Sequence, residues 1–233
     1  LLRKAYENGM TFFDTARAYS DSEYKVGLAF EGMREKVNIA TKLFTLGMER
    51  PDYDPRAMFE EQLSRLKTDH IDFYLIHGLH GNQWETLKDK FDILPFLDKL
   101  RREGTIRHIG FSFHDSPELL ERILKDHPET EYVQLQLNYL DWDDAALRAK
   151  ECYEIATRHG KPVIVMEPIK GGALANIPEK ADEILKAQTP GLSTASWAIR
   201  FAATHENVMM VLSGMSNMEQ VEDNLSYMKD FKP

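Results

Sequence analysis

Along this chain, short β-branched or aromatic runs alternate with longer stretches whose apolar residues recur at helical spacing. The runs cover residues 11–14, 37–42, 71–77, 106–112, 132–137, 162–166 and 208–213, seven in all. Helical patterns follow at 22–32, 55–66, 93–103, 117–126, 145–159, 194–205 and 218–228, so each strand leads into a helix. Runs such as VNIATK and IDFYLIH are apolar on consecutive positions, which suits strands of a parallel sheet covered on both faces. The chain opens at Leu1 inside a helical pattern, LLRKAYENG, that stops at Gly9. Seven βα units preceded by a helix without its strand predict an α/β fold of the (β/α)8 TIM-type barrel class, with the first strand missing from this chain. Residues 1–233 are then a single barrel domain, truncated at both ends. A doubly wound open sheet is the competing architecture, but Gly171-Gly172 follows a strand without the G-x-G-x-x-G fingerprint such sheets use for dinucleotides. The mixed stretch 175–191 has the length for a short extra helix or a flexible loop over the site.

Composition narrows the class. A chain of 233 residues with 42% hydrophobic content can bury one large core. A formal charge of -9 opposes nucleic-acid binding, which needs a concentrated positive field. Cys152 is the single cysteine, so these residues hold no disulfide framework and no cysteine cluster for a metal, and a reducing cytoplasm is the expected compartment. With no apolar run of about 18 residues and no secretion-signal pattern at the start, a soluble protein without a membrane partner is expected.

In a barrel of this kind the active site lies at the C-terminal ends of the strands. Three apolar runs end there in polar groups: FFD at Asp14, IATK at Lys42 and YLIH at His77, with Tyr19 five residues after Asp14. Singly, each has a structural explanation as a cap, a surface lysine, a core histidine or a packing ring. Jointly they suggest chemistry, because a lysine at the inner end of an apolar strand loses hydration and must find an anion such as Asp14. A phenol with an ordinary pKa of about 10 is a poor acid, but an adjacent ammonium favours phenolate and a neighbouring imidazole helps to pass the proton. Tyr19 is therefore expected to protonate a carbonyl oxygen while a cofactor delivers hydride to the carbon.

DTARAY at residues 14–19, the lysine of IATK and the histidine of FYLIH resemble the aldo-keto reductase family. The likeness runs on through SEYKVG, IRHIGFS and SGMSNMEQVEDN, and so covers essentially the whole chain. The resemblance implies a (β/α)8 barrel that binds NAD(P)H across its upper rim, a small-molecule carbonyl substrate, Lys42 paired with Asp14, and Tyr19 as proton donor. Departures from the family pattern are informative. Gly110-Phe111-Ser112-Phe113 lacks an asparagine that usually meets the nicotinamide amide, so Ser112 or His114 must substitute, while Gln134 matches the other amide-binding position. Met166 stands where an aromatic ring commonly stacks on the nicotinamide. In the last unit Ser213, Gly214, Met215, Ser216, Gln220, Asp223 and Asn224 fall where the family holds the adenosine phosphate end. Residues 213–224 contain no lysine or arginine, with Gln220 where an arginine often lies, so any preference for NADPH over NADH is expected to be slight or reversed. The MEPIKGG segment most resembles a branch that often carries a cysteine-rich iron-sulphur extension after the barrel, which is absent from the residues up to Pro233.

Three other readings compete. Lys42 as a Schiff-base nucleophile needs an unprotonated amine, which Asp14 opposes. His77, His80, His108 and His114 as metal ligands lack an H-x-H closing a strand, so no metal is expected. A non-catalytic NAD(P)-sensing subunit would tolerate the altered amide and stacking contacts. The sequence leaves oligomeric state open.

Overall fold

The computed structural model describes residues 1–45, 47–229 and 231. Among these residues seven strands form one sheet in chain order: β1 (Phe12–Asp14), β2 (Asn38–Leu43), β3 (Ile71–Leu79), β4 (Ile106–Phe113), β5 (Tyr132–Gln136), β6 (Val163–Met166) and β7 (Val208–Val211). Every neighbouring pair is parallel. The helices are α1 (Leu2–Glu7), α2 (Ser22–Ala29), α3 (Pro55–Leu66), α4 (Gly81–Phe91), α5 (Ile93–Arg102), α6 (Pro117–Asp126), α7 (Ala149–Arg158), α8 (Glu179–Gln188), α9 (Thr194–Ala203) and α10 (Met218–Met228). Where caps are written in the sequence, the expected bounds hold. Asp54 accepts the Arg56 N–H before α3, and Ser116 accepts the Leu119 N–H before α6, with proline in the first turn of each. Helix α4 escaped the periodicity reading because it opens on His80-Gly81 with no side-chain cap. The stretch 175–191 holds the extra helix, α8, which packs on α9.

The sheet is curled. Laid flat, β1 and β5 would sit four strand spacings apart, about 19 Å. Yet Gln134 on β5 reaches Asp14 on β1, Nε2 to Oδ1, at 3.4 Å. At the ends of the sheet α1 packs on α10. The fold is thus a (β/α)8-type barrel represented here by seven strands.

Strand alternation then sorts the side chains into two cores. One face packs against the helices and forms the large cluster that includes Ile39, Ile76, Phe111, Val133 and Val165. The other faces inward, where Ala40, Leu75, Tyr132 and Ile164 form a smaller cluster with Phe12, Phe73, Met210 and Leu212 around it. Gly110 shares this layer because Tyr132 needs the space: a Cβ on Gly110 would lie 2.6 Å from the Tyr132 ring. Replacing Gly110 by Ala is expected to lower stability by about 1–3 kcal/mol through overpacking of the barrel interior. A urea unfolding midpoint equal to that of the wild type would show that the ring yields freely.

Candidate active site

Two residues further along each strand, the same inward alternation that gives Phe12, Ala40, Leu75, Gly110, Tyr132 and Ile164 gives Asp14, Lys42, His77, Ser112, Gln134 and Met166. The polar layer lies at the C-terminal ends of the strands. Lys42 is 1% exposed, and its Nζ donates to Asp14 Oδ2 at 2.6 Å and to the Thr15 carbonyl at 2.9 Å. An amine engaged by a carboxylate in this way counts against the Schiff-base reading of Lys42. Tyr19, on the loop after β1, lies with its ring centroid 5.2 Å from Lys42 Nζ and edge-on to His77 at 6.0 Å between ring centroids. All four expected residues therefore converge.

Their electrostatics correct one expectation. The Tyr19 phenol is pushed above its ordinary value, not below it. Partial burial disfavours the phenolate first, and the charges of Asp14 and Glu167 add to this. The Lys42 ammonium is engaged by Asp14, so its pull on the phenol is offset by the carboxylate it holds. Burial likewise raises the Asp14 carboxyl against the lowering influence of Lys42 and of the bond from Gln134. The His77 imidazole is lowered to about 4 by burial, then by Lys42 and His114. His77 is neutral near pH 7.

The groups expected to meet a cofactor lie round the same rim and along its last loop. Ser112 is buried, and its Oγ accepts the Gly78 N–H at 2.7 Å. Gln134 Oε1 is buried without a protein partner. Met166 ends β6 half-buried, and His114 is exposed beyond β4. Residues 213–216 follow β7 and are tied to α10. Gln220 Oε1 accepts the Ser216 N–H at 2.6 Å, Asn217 caps the helix through the Gln220 N–H, and Asn224 Nδ2 donates to Ser213 Oγ at 2.7 Å. Gly214 is exposed and Met215 packs partly against the core. Asp223 Oδ2 accepts the Ser193 hydroxyl at 2.6 Å, so this carboxylate is already engaged within the chain.

Sequence reasoning missed the residues behind the site. Glu23 is fully buried and pairs with Arg65 at 2.8 Å, while Arg65 also donates to the Ser20 carbonyl beside Tyr19. Gln62 donates to Glu23 and to the Lys42 carbonyl. The signal was faint: polar residues on otherwise amphipathic helices read as solvated. On the β6 side, Glu167 and Lys170 both have positive φ, and buried Asp141 accepts from Gln136, Asn138 and Lys170. This ties the loop after β6 to the loop after β5. His108 pairs with Glu131 low on β4, away from the rim. Among the described residues no group of three His, Cys, Asp or Glu is placed to hold a metal ion.

Fold and rim define a barrel oxidoreductase. Residues 1–232 match the model of the Aldo/keto reductase family, and the chain belongs to that family. The "Uncharacterized oxidoreductase YqkF" of Bacillus subtilis (strain 168) is 26% identical over 97% of this chain and 80% of its own. The glyoxal reductase of the same organism is 36% identical over 54% of this chain and 43% of its own length. Among solved structures, an aldo-keto reductase from Klebsiella pneumoniae in complex with NADPH superposes with a TM-score of 0.76 at 23% identity, over 97% of this chain and 76% of that one.

The lowered His77 gives a signed pH prediction. Its neutral form is favoured in the fold, so below its ordinary 6.5 the unfolded chain takes up the proton first. This contribution is complete above about pH 6.5 and is lost as pH falls toward 4. His114 and His205 shift in the same direction, so His77 is isolated by comparing the wild type with His77→Asn. Between pH 7 and 4.5 the wild-type urea midpoint should fall more steeply than that of the variant; parallel curves would contradict the assignment.

Proposed function

We propose that this protein is an NAD(P)H-dependent reductase of small aldehydes or ketones in which Tyr19 gives a proton to the carbonyl oxygen. The observation that carries the reading is the convergence of the Tyr19 ring with Lys42 Nζ and His77, while Asp14 pins Lys42 from the other side. Bound NAD(P)H supplies the hydride that the carbonyl carbon receives.

The chain's own residues suit that cofactor. The unpaired Gln134 Oε1 is an acceptor waiting at the rim for an amide N–H, and a buried acceptor left unmet is costly. Ser112 or His114 offers the second polar contact, and Met166 a polarizable platform. Residues 213–216 form the turn into α10, which carries Gln220, Asp223 and Asn224 and whose N-terminus favours a phosphate. Tyr19 keeps its proton in the resting site because its pKa is high, and releases it when a strongly basic alkoxide oxygen develops beside it. The Lys42 ammonium then stands near the phenolate that remains. Neutral His77 can donate a hydrogen bond to the carbonyl oxygen without adding charge.

The net acidic charge and the lone buried Cys152 support a cytoplasmic protein that leaves nucleic acid alone. No helix among the described residues is long and apolar enough to cross a membrane. Because the similarity extends to a glyoxal reductase, glyoxal is the first substrate to assay.

Tyr19→Phe should lower kcat by roughly a hundred- to ten-thousand-fold while leaving NADPH binding, read by fluorescence titration, close to that of the wild type. Turnover at the wild-type rate would sink the proton-donor role. The ratio of kcat/KM for NADPH to that for NADH should stay below about tenfold, equivalent to about 1.4 kcal/mol, and Gln220→Arg should raise it. A strong NADPH preference in the wild type would show that a cation from elsewhere meets the 2'-phosphate.

A further inference from the structure

Helix α3 holds both the loop that carries Tyr19 and the strand that carries Lys42. Arg65 donates from Nη2 to the carbonyl of Ser20, the residue immediately after Tyr19. One turn earlier on α3, Glu61 accepts from Arg17, two residues before Tyr19, at 3.0 Å. Between them Gln62 Nε2 donates to the Lys42 carbonyl at 2.9 Å, and the Tyr74 hydroxyl steadies that amide by donating to its Oε1 at 2.7 Å. The two halves of the Tyr19–Lys42 pair are thus set against one rigid element.

The Arg65 contact is the most demanding of these. Ser20 has a φ of 52°, a left-handed conformation that a residue with a side chain seldom keeps without support. The guanidinium that binds its carbonyl is buried and is itself held by Glu23 on α2 at 2.8 Å, with its carbon 4.3 Å from the centroid of the Tyr24 ring. Helices α2 and α3 meet backbone to backbone at this place: a Cβ on Gly27, one turn after Glu23, would lie 2.7 Å from the Arg65 carbonyl oxygen. A lysine can pair with Glu23, but it lacks the planar fork that spans Glu23 and the Ser20 carbonyl together.

We infer that Arg65 is a positioning residue, which acts through the Ser20 backbone to keep the Tyr19 phenol beside the Lys42 ammonium. The inference rests on the proposed function, in which Tyr19 is the proton donor. Misplacing a reacting group by about 1 Å can cost about a hundredfold in rate. A pair that only fastened α2 to α3 would instead act on the enzyme whether or not Tyr19 carries its hydroxyl.

A double-mutant cycle separates these roles. Arg65→Lys, Tyr19→Phe and the double variant are compared by the single-turnover rate of NADPH oxidation, per bound NADPH, with glyoxal or another aldehyde that the wild type reduces. Arg65→Lys should lower the rate about ten- to a hundredfold in the wild-type background and less than about twofold in the Tyr19→Phe background, with NADPH affinity within about twofold throughout. Equal losses in both backgrounds, or no loss in either, would overturn the inference and leave the proton-donor role standing. If Tyr19→Phe itself reacts at the wild-type rate, or the wild type reduces no aldehyde or ketone, the proposed function fails first and this inference with it. Should Arg65→Lys not fold, Arg65→Gln takes its place in the cycle; if neither folds, Arg65 is a structural residue and the inference is overturned.

Discussion

The Asp14 carboxylate is the point on which this structure turns. It accepts from Lys42 on β2 and from Gln134 on β5, and so joins strands that a flat sheet would hold far apart. Deleting one member of a buried pair such as this costs about 3–5 kcal/mol, because the survivor is left desolvated and unpaired. The same contact directs the Lys42 charge, and Tyr19 lies over that charge. One shared carboxylate thus marks where the closing of the barrel and the electrostatics of its rim meet.

Much of this was legible in the sequence because strand periodicity is an exact register. Once FFD, IATK and YLIH are read as strands, their last polar residues must share the inward face with the apolar residues two positions before them. Caps made α3 and α6 legible to the residue. What stayed hidden depended on partners distant in sequence. Glu23, Gln62 and Arg65 look like the polar side of amphipathic helices, yet they meet in a buried network behind Lys42 and Tyr19. The direction of the Tyr19 shift was hidden for the same reason: it comes first from burial within the fold, then from Asp14 and from Glu167, which lies 148 positions away in the chain.

Neutrality and charge are divided sharply at the rim. Lys42 and Asp14 form the charged pair, while His77 and Tyr19 are held in their uncharged forms by burial and by their neighbours. Under the proposed function, a carbonyl compound would meet hydrogen-bonding groups on the side nearest solvent and the charged pair behind them. Under that reading, the field is set before any substrate arrives, the arrangement that electrostatic preorganisation calls for.

The distribution of these groups along the chain divides the molecule into two arcs. Asp14, Tyr19, Lys42 and His77 come from the first three strands and their loops, whereas the proposed cofactor contacts run from Ser112 on β4 to Asn224 on α10. The Gln134–Asp14 contact stitches one arc to the other. Under the proposed function, substitutions in the later arc can drift toward a different nucleotide while the proton-handling arc stays intact, and a lineage of such proteins is free to change its electron donor without reinventing its acid.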